Sequence, residues 1–161
     1  MRRDIIAYID GANLHKGVIG LGWRLDYRRF RIWLKEKYQV ERAYLFIGLL
    51  PEQKYLYKHL QEIGYLLVYK EVVYDPTGRI KGNCDADLVL KTVVDYYEGF
   101  TERAVIVTSD GDYAGLVGFL KSKGVLRSLI SPSDKCSYLL RKLNIPLVYL
   151  DSKRGKLAQH S

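Results

Sequence analysis

Ile5-Ile6-Ala7-Tyr8-Ile9-Asp10-Gly11-Ala12-Asn13 is the stretch that decides the fold. Its apolar run, Ile5 to Ile9, has no polar alternation. Such a run reads as a strand buried on both faces, as in a parallel sheet covered by helices. The run stops at Asp10-Gly11-Ala12-Asn13, a turn-forming group. A second stretch is built the same way: Ala104–Thr108 is a buried strand that passes through Ser109 into Asp110-Gly111-Asp112.

Working outward, short apolar runs alternate with helical patterns. Strands are expected at Ala43–Leu49, Tyr65–Tyr74, Val125–Ile130 and Leu147–Leu150. Helices are expected over Asp26–Tyr38, Glu52–Ile63, Asp85–Glu98, Tyr113–Ser122 and Lys135–Leu143. In the third of these, Ala86, Val89, Leu90, Val93 and Tyr97 make the expected core stripe. Asp75-Pro76-Thr77-Gly78 is a turn signal. The alternation implies βαβ units, hence an α/β domain with a mainly parallel sheet. With 161 residues the chain has room for one domain, placed over residues 1–150, with 151–161 as a loose polar tail.

Lys and Arg number 26 against 18 Asp and Glu, a net charge of +8. That surplus favours polyanionic partners, nucleic acid before membrane surfaces. Cys84 and Cys136 make no CxxC pair and no Cys/His cluster, which argues against zinc and for free thiols in a reducing compartment. The apolar stretch between Asp4 and Asp10 is too short for a signal peptide, and no run approaches a membrane span. The expected location is cytoplasmic.

Asp10 and Asp110 both sit where an apolar strand ends. In open parallel sheets, ligands lie outside the carboxyl ends of the strands. Asp112 follows two residues after Asp110, and Asp85 opens a helix that starts at the same edge. Singly, Asp85 and Asp112 read as helix caps and Asp10 as turn chemistry. Together they form a different object. A like-charge pair at about 4 Å costs on the order of 4 kcal/mol at an effective dielectric of 20. A domain has only about 5–15 kcal/mol of stability in total. Converging carboxylates therefore need protonation or a cation, and all-oxygen ligation points to Mg²⁺ or Mn²⁺. Asn13 is a candidate to orient a water or a phosphate oxygen, or to cap the segment that follows. Ser109 is a candidate to hold a water, or simply ends its strand. Arg24, Arg28, Arg31, Lys35, Arg79 and Lys81 are candidates to track a phosphate backbone.

Three of these stretches resemble motifs of the NYN domain family, the LabA/DUF88-like branch of the PIN-like nucleases. Ile9-Asp10-Gly11-Ala12-Asn13-Leu14 is similar to its opening Asp-Gly-x-Asn turn. Lys81-Gly82-Asn83-Cys84-Asp85 is similar to its central Lys-Gly-x(2)-Asp motif. Thr108-Ser109-Asp110-Gly111-Asp112-Tyr113 is similar to its Ser-Gly-Asp-Ser-Asp-Phe motif, with Ser109 in place of Gly and Gly111 in place of Ser. Order and spacing agree from about Ile5 to Tyr149. The resemblance implies a three-layer, PIN-like domain with about five parallel strands flanked by helices, and metal-dependent ribonuclease chemistry. It implies Asp10, Asp85, Asp110 and Asp112 as the acidic quartet with Asn13 beside them, and RNA as the partner. A second copy of the chain is a candidate to complete a substrate groove. Two rival readings are a non-catalytic RNA-binding module and a phospho-acceptor domain. Tyrosines, 14 in all, would serve an RNA binder by stacking, although most fall in expected strands. A Rossmann dinucleotide enzyme is disfavoured because no GxGxxG follows the first strand.

Overall fold

The computed structural model describes residues 3–49, 53–71, 73–81 and 84–160. The chain opens with β1 (Asp4–Asp10), α1 (Gly11–Gly20), α2 (Tyr27–Tyr38), β2 (Arg42–Leu49), α3 (Lys54–Glu62) and β3 (Tyr65–Glu71). A short β4 (Val73–Tyr74) and β5 (Ile80–Lys81) follow, then α4 (Asp85–Tyr97) and β6 (Thr101–Val107). The rest is α5 (Ala114–Ser122), β7 (Leu126–Ser131), α6 (Tyr138–Arg141), β8 (Leu147–Tyr149) and α7 (Arg154–Leu157).

Among the described residues the main sheet has six parallel strands, in the order β3-β2-β1-β6-β7-β8, one more than the expected five or so. β1 shows why its sequence lacks alternation. Ala7 and Ile9 face one core while Ile6 and Tyr8 face another, and all four are fully buried. Helices α1, α2, α3 and α7 cover the first face through residues such as Leu14, Phe30, Leu60 and Leu157. Helices α4, α5 and α6 cover the second through Leu88, Val117 and Leu140. The molecule is thus a three-layer α/β/α domain.

From β1 the chain builds outward through β2 and β3. It then returns to lay β6 on the other side of β1 and builds away through β7 and β8. The strand order reverses between β1 and β6, so a crevice opens above their carboxyl ends. Asp10 closes β1, and Asp110 lies just past the end of β6.

Several elements depart from the sequence reading. Helix α1 was read only as a turn, because Gly11, Gly17 and Gly20 lower helix propensity. Two of those glycines serve close packing: a Cβ on Gly11 would lie 2.7 Å from Phe46 O, and one on Gly17 would lie 2.4 Å from Pro132 Cβ. The strand expected to run to Tyr74 ends at Glu71, and Val73–Tyr74 pairs antiparallel with Ile80–Lys81 around the Asp75–Gly78 turn. The helix expected over Lys135–Leu143 shortens to α6.

The core stripe of α4 is rotated from the expected one. Leu90 and Tyr97 are 63% and 67% exposed, while Leu88, Thr92 and Asp95 are buried. Polar side chains turn inward here because partners await them, as Asp95 shows by bonding Tyr8. The tail is docked rather than loose. Leu157 is fully buried, Leu25 and Ala158 form an antiparallel bridge, and Asp26 N–H donates to Leu157 O.

Candidate metal centre

Two segments remote in sequence, the loop after β6 and the first turn of α4, contribute to one acidic cluster. Beyond β6 the chain passes Thr108 and Ser109 to Asp110, which caps a 3-10 turn over Gly111–Tyr113. Asp110 Oδ1 accepts the Asp112 N–H at 2.9 Å, so the two acids are held by one short loop. Asp85 comes from the first turn of α4. One carboxylate oxygen from each of Asp85, Asp110 and Asp112 lies within 4.8 Å of the other two. Asp85 and Asp110 are half-buried and Asp112 is exposed. Asp85 and Asp112, which singly read as helix caps, cap neither α4 nor α5, whose N-cap residues are Cys84 and Tyr113. Asp110 is the acid that both caps and joins the cluster. A carboxylate has two oxygens and about four lone-pair directions.

Tyr113 supports the cluster from below. It is 1% exposed, and its hydroxyl donates to Asp85 Oδ1 at 2.6 Å. Burial and the neighbouring carboxylates push that hydroxyl well above its usual range, so it remains a donor. Gly111 sits close to the start of α6: a Cβ there would lie 2.4 Å from Ser137 Oγ and 3.1 Å from Ser137 Cβ, so the Ser137 side chain would have to move. That contact gives a reason for glycine where the resembling motif has serine.

Asp10 stands beside this triplet. It is 9% exposed; its Oδ1 accepts the Asn13 N–H at 3.2 Å, and Thr108 Oγ1 lies 3.4 Å from its Oδ2. Burial raises its carboxyl above the ordinary 3.8, partly offset by the Asn13 N–H, with the charges of Asp85 and Asp110 adding to the rise. Asn13 was read as orienting a water or a phosphate, or as a cap. Its Oδ1 accepts from Ser109 N at 2.9 Å and Ser109 Oγ at 3.1 Å. The side chain is therefore a strut that ties the first motif to the third. Sequence reasoning missed Tyr113 and Thr108. The spacing of Tyr113 from Asp85 carries no local signal, because their contact spans 28 residues.

The donor set suits a small hard cation. Hard cations such as Mg²⁺ take oxygen ligands. Three carboxylate oxygens within 4.8 Å of one another, with no His or Cys among them, would hold such an ion. Cys84 does not compete: burial, then the charges of Asp87 and Asp10, push its thiol up to about 11, so it stays protonated. Asp87, two residues after Asp85, points elsewhere, with its Oδ2 3.9 Å from Lys70 Nζ.

The NYN domain model matches residues 4–143. The chain belongs to the NYN domain family. That family lies in the PIN-like superfamily and has a nuclease-like fold. A solved structure of a protein of unknown function from Vibrio parahaemolyticus has the same fold, with a TM-score of 0.73 and 20% identity over 97% of each chain. No curated protein gave a significant match.

The basic residues of this NYN domain divide by height along the sheet. Arg24 and Arg28, around the start of α2, line a cavity of about 1050 Å³ at the carboxyl edge. Arg31 and Lys35 lie lower, at the opposite edge. The Arg31 guanidinium donates to the carbonyls of Gly64, Val40 and Glu41, where β2 and β3 begin. Those bonds give it a structural task, and its distance from the acids removes it from their site. Lys35 lines a small pocket beside it. Arg79 is exposed in the β4–β5 hairpin, its N–H donating to Asp75 Oδ1. The Lys81 side chain and Gly82-Asn83 lie outside the described residues. Among the described residues, no helix is long and apolar enough to cross a membrane.

Proposed function

We propose that this NYN domain is a Mg²⁺- or Mn²⁺-dependent ribonuclease that hydrolyses RNA phosphodiester bonds at the carboxyl edge of its sheet. The observation that carries the reading is the meeting of Asp85, Asp110 and Asp112 within 4.8 Å at the crevice between β1 and β6. Those three residues would hold the cation, with Asp10 contributing negative potential from just behind. When bound, the cation supplies Lewis-acid activation of water and charge stabilisation at the phosphate.

The chain's own groups do the rest. Asp112, exposed at the mouth, is placed to accept a proton from an attacking water. The water oxygen bonds to phosphorus, the phosphorus–oxygen bond to the leaving ribose breaks, and that oxygen takes up a proton. Asn13 and Ser109 keep the two loops in register, and Tyr113 fixes the Asp85 carboxylate. The family assignment and the +8 charge support RNA as the partner.

The test is incubation of the full chain with end-labelled RNA, with and without Mn²⁺, alongside Asp110→Asn. Cleavage that needs Mn²⁺ and is lost in the variant is the expected result. RNA that stays intact under all conditions while binding in a salt-sensitive way would overturn hydrolysis and leave a binding module.

A further inference from the structure

The cavity beside α1 has no part in the acidic cluster, yet it opens at the same edge of the sheet. Its volume is about 1050 Å³, at the upper end for a ligand site. Its apolar floor is made by exposed Ile19 and Leu56 with half-buried Ile47 and Tyr27, over a buried layer of Val18, Leu45 and Leu60. Its rim is basic. Arg24 and Arg28 stand there with His15, His59 and His160, all the histidines of the chain. The acid among its lining residues, Asp26, is spent on capping α2 through the Arg29 N–H at 3.1 Å.

Helix α1 is the wall between this cavity and the acids. Gly11 and Ala12 line the cavity directly after Asp10, so the two sites are neighbours across one helical turn. Asn13 reaches the acid side, to Ser109, while Ala12, His15 and Ile19 face the cavity. A strand of nucleic acid crossing the carboxyl ends of β1 and β2 would pass from one to the other.

We infer that this cavity is a subsite for unpaired RNA flanking the scissile phosphate, a reading that rests on the ribonuclease assignment. Bases would lie on the apolar floor, and phosphates would be met by Arg24 and Arg28. Single strands can turn bases away from their own backbone and press them against protein; a duplex keeps its bases stacked inside. An apolar floor under a basic rim therefore selects unpaired RNA, and the position of the floor behind α1 sets which side of the cut must be unpaired.

The experiment measures fluorescence anisotropy of a short labelled single-stranded RNA and of its duplex, with the full chain in EDTA so that no cleavage occurs. Arg24→Gln/Arg28→Gln is compared with Arg103→Gln/Lys123→Gln, which removes equal charge at exposed positions far from the cavity. The cavity pair should weaken single-strand binding at least about 10-fold and lower the salt slope by about 1.4, the amount for two phosphate contacts to a single strand. The distant pair should change neither, and the duplex should bind more weakly than the single strand. Equal effects from both pairs, or equal affinity for duplex, would overturn the subsite. Because the readout is binding without metal, failure of cleavage alone would remove the nuclease reading and leave this result intact.

Discussion

The two ends of the central strands handle negative charge in opposite ways. At the amino-terminal end each buried acid has a cation. Asp4 Oδ2 lies 2.8 Å from Arg42 Nε, in contact though not aligned as a hydrogen bond. Asp95, 2% exposed, accepts from Tyr8 OH at 2.8 Å and from Lys91 Nζ at 2.8 Å. At the carboxyl end the acids face one another. Among the described residues, no Lys or Arg forms an ion pair with Asp10, Asp110 or Asp112. Satisfied acids at one end need no function to explain them. Clustered acids at the other work against the fold, and they make sense as a site held ready for a cation.

The largest expected effect tests that asymmetry through activity. Asp85→Asn should reduce RNA cleavage by more than about 100-fold, beyond what loss of a supporting group does, with an unchanged circular dichroism spectrum. Cleavage at the wild-type rate would erase the distinction between the two ends.

Asp95→Ala probes the satisfied end. It removes the acceptor for two donors, an expected loss of about 1–3 kcal/mol. A chain of this size loses about 2–4 °C in Tm for each kcal/mol. Mn²⁺ affinity should not move. A drop in metal affinity as large as that in stability would mean that the two ends are coupled.

Tyr113→Phe sharpens the comparison at the clustered end. The ring and its packing stay, and only the hydroxyl on Asp85 goes. Mn²⁺ affinity should fall by about 10-fold, the lower part of the range for groups that orient a ligand. An unchanged affinity, measured by calorimetry, would make that hydroxyl a packing detail.

The smallest effect is on Asp10→Asn in the metal-free chain. Asn is as good an N-cap as Asp, so α1 keeps its first turn. Burial raises the Asp10 carboxyl above 3.8, which means that the folded state holds the proton more tightly than the unfolded chain does. Its contribution is full below that ordinary value and is lost as pH rises through the raised one. Thermal melts of metal-free wild type should therefore lose stability across that window, and Asp10→Asn should lose less. Parallel pH profiles would contradict the burial argument.

How much of this was readable in the sequence depended on whether the signal was local. The central strands were readable because Ile5–Ile9 and Ala104–Thr108 are buried on both faces and so carry unbroken apolar runs. The acids at their ends followed from topology. Helix α1 was not readable, because Gly11 and Gly17 answer to Phe46 and Pro132, residues remote in sequence. The inward face of α4 was misjudged for the same reason: Asp85 and Asp95 turn in toward Tyr113 and Tyr8, and periodicity counts acids as outward. Arg31 matched Arg28 in the sequence, but one helical turn puts it among the carbonyls that start β2 and β3.

The most direct measurement is a calorimetric titration of the metal-free chain with Mn²⁺, run beside Asp85→Asn/Asp110→Asn. Saturable uptake by the wild type that disappears in the double variant is the expected result. A wild type that takes up no Mn²⁺, or a double variant that binds it equally well, would contradict the claim that these carboxylates are gathered to hold a cation.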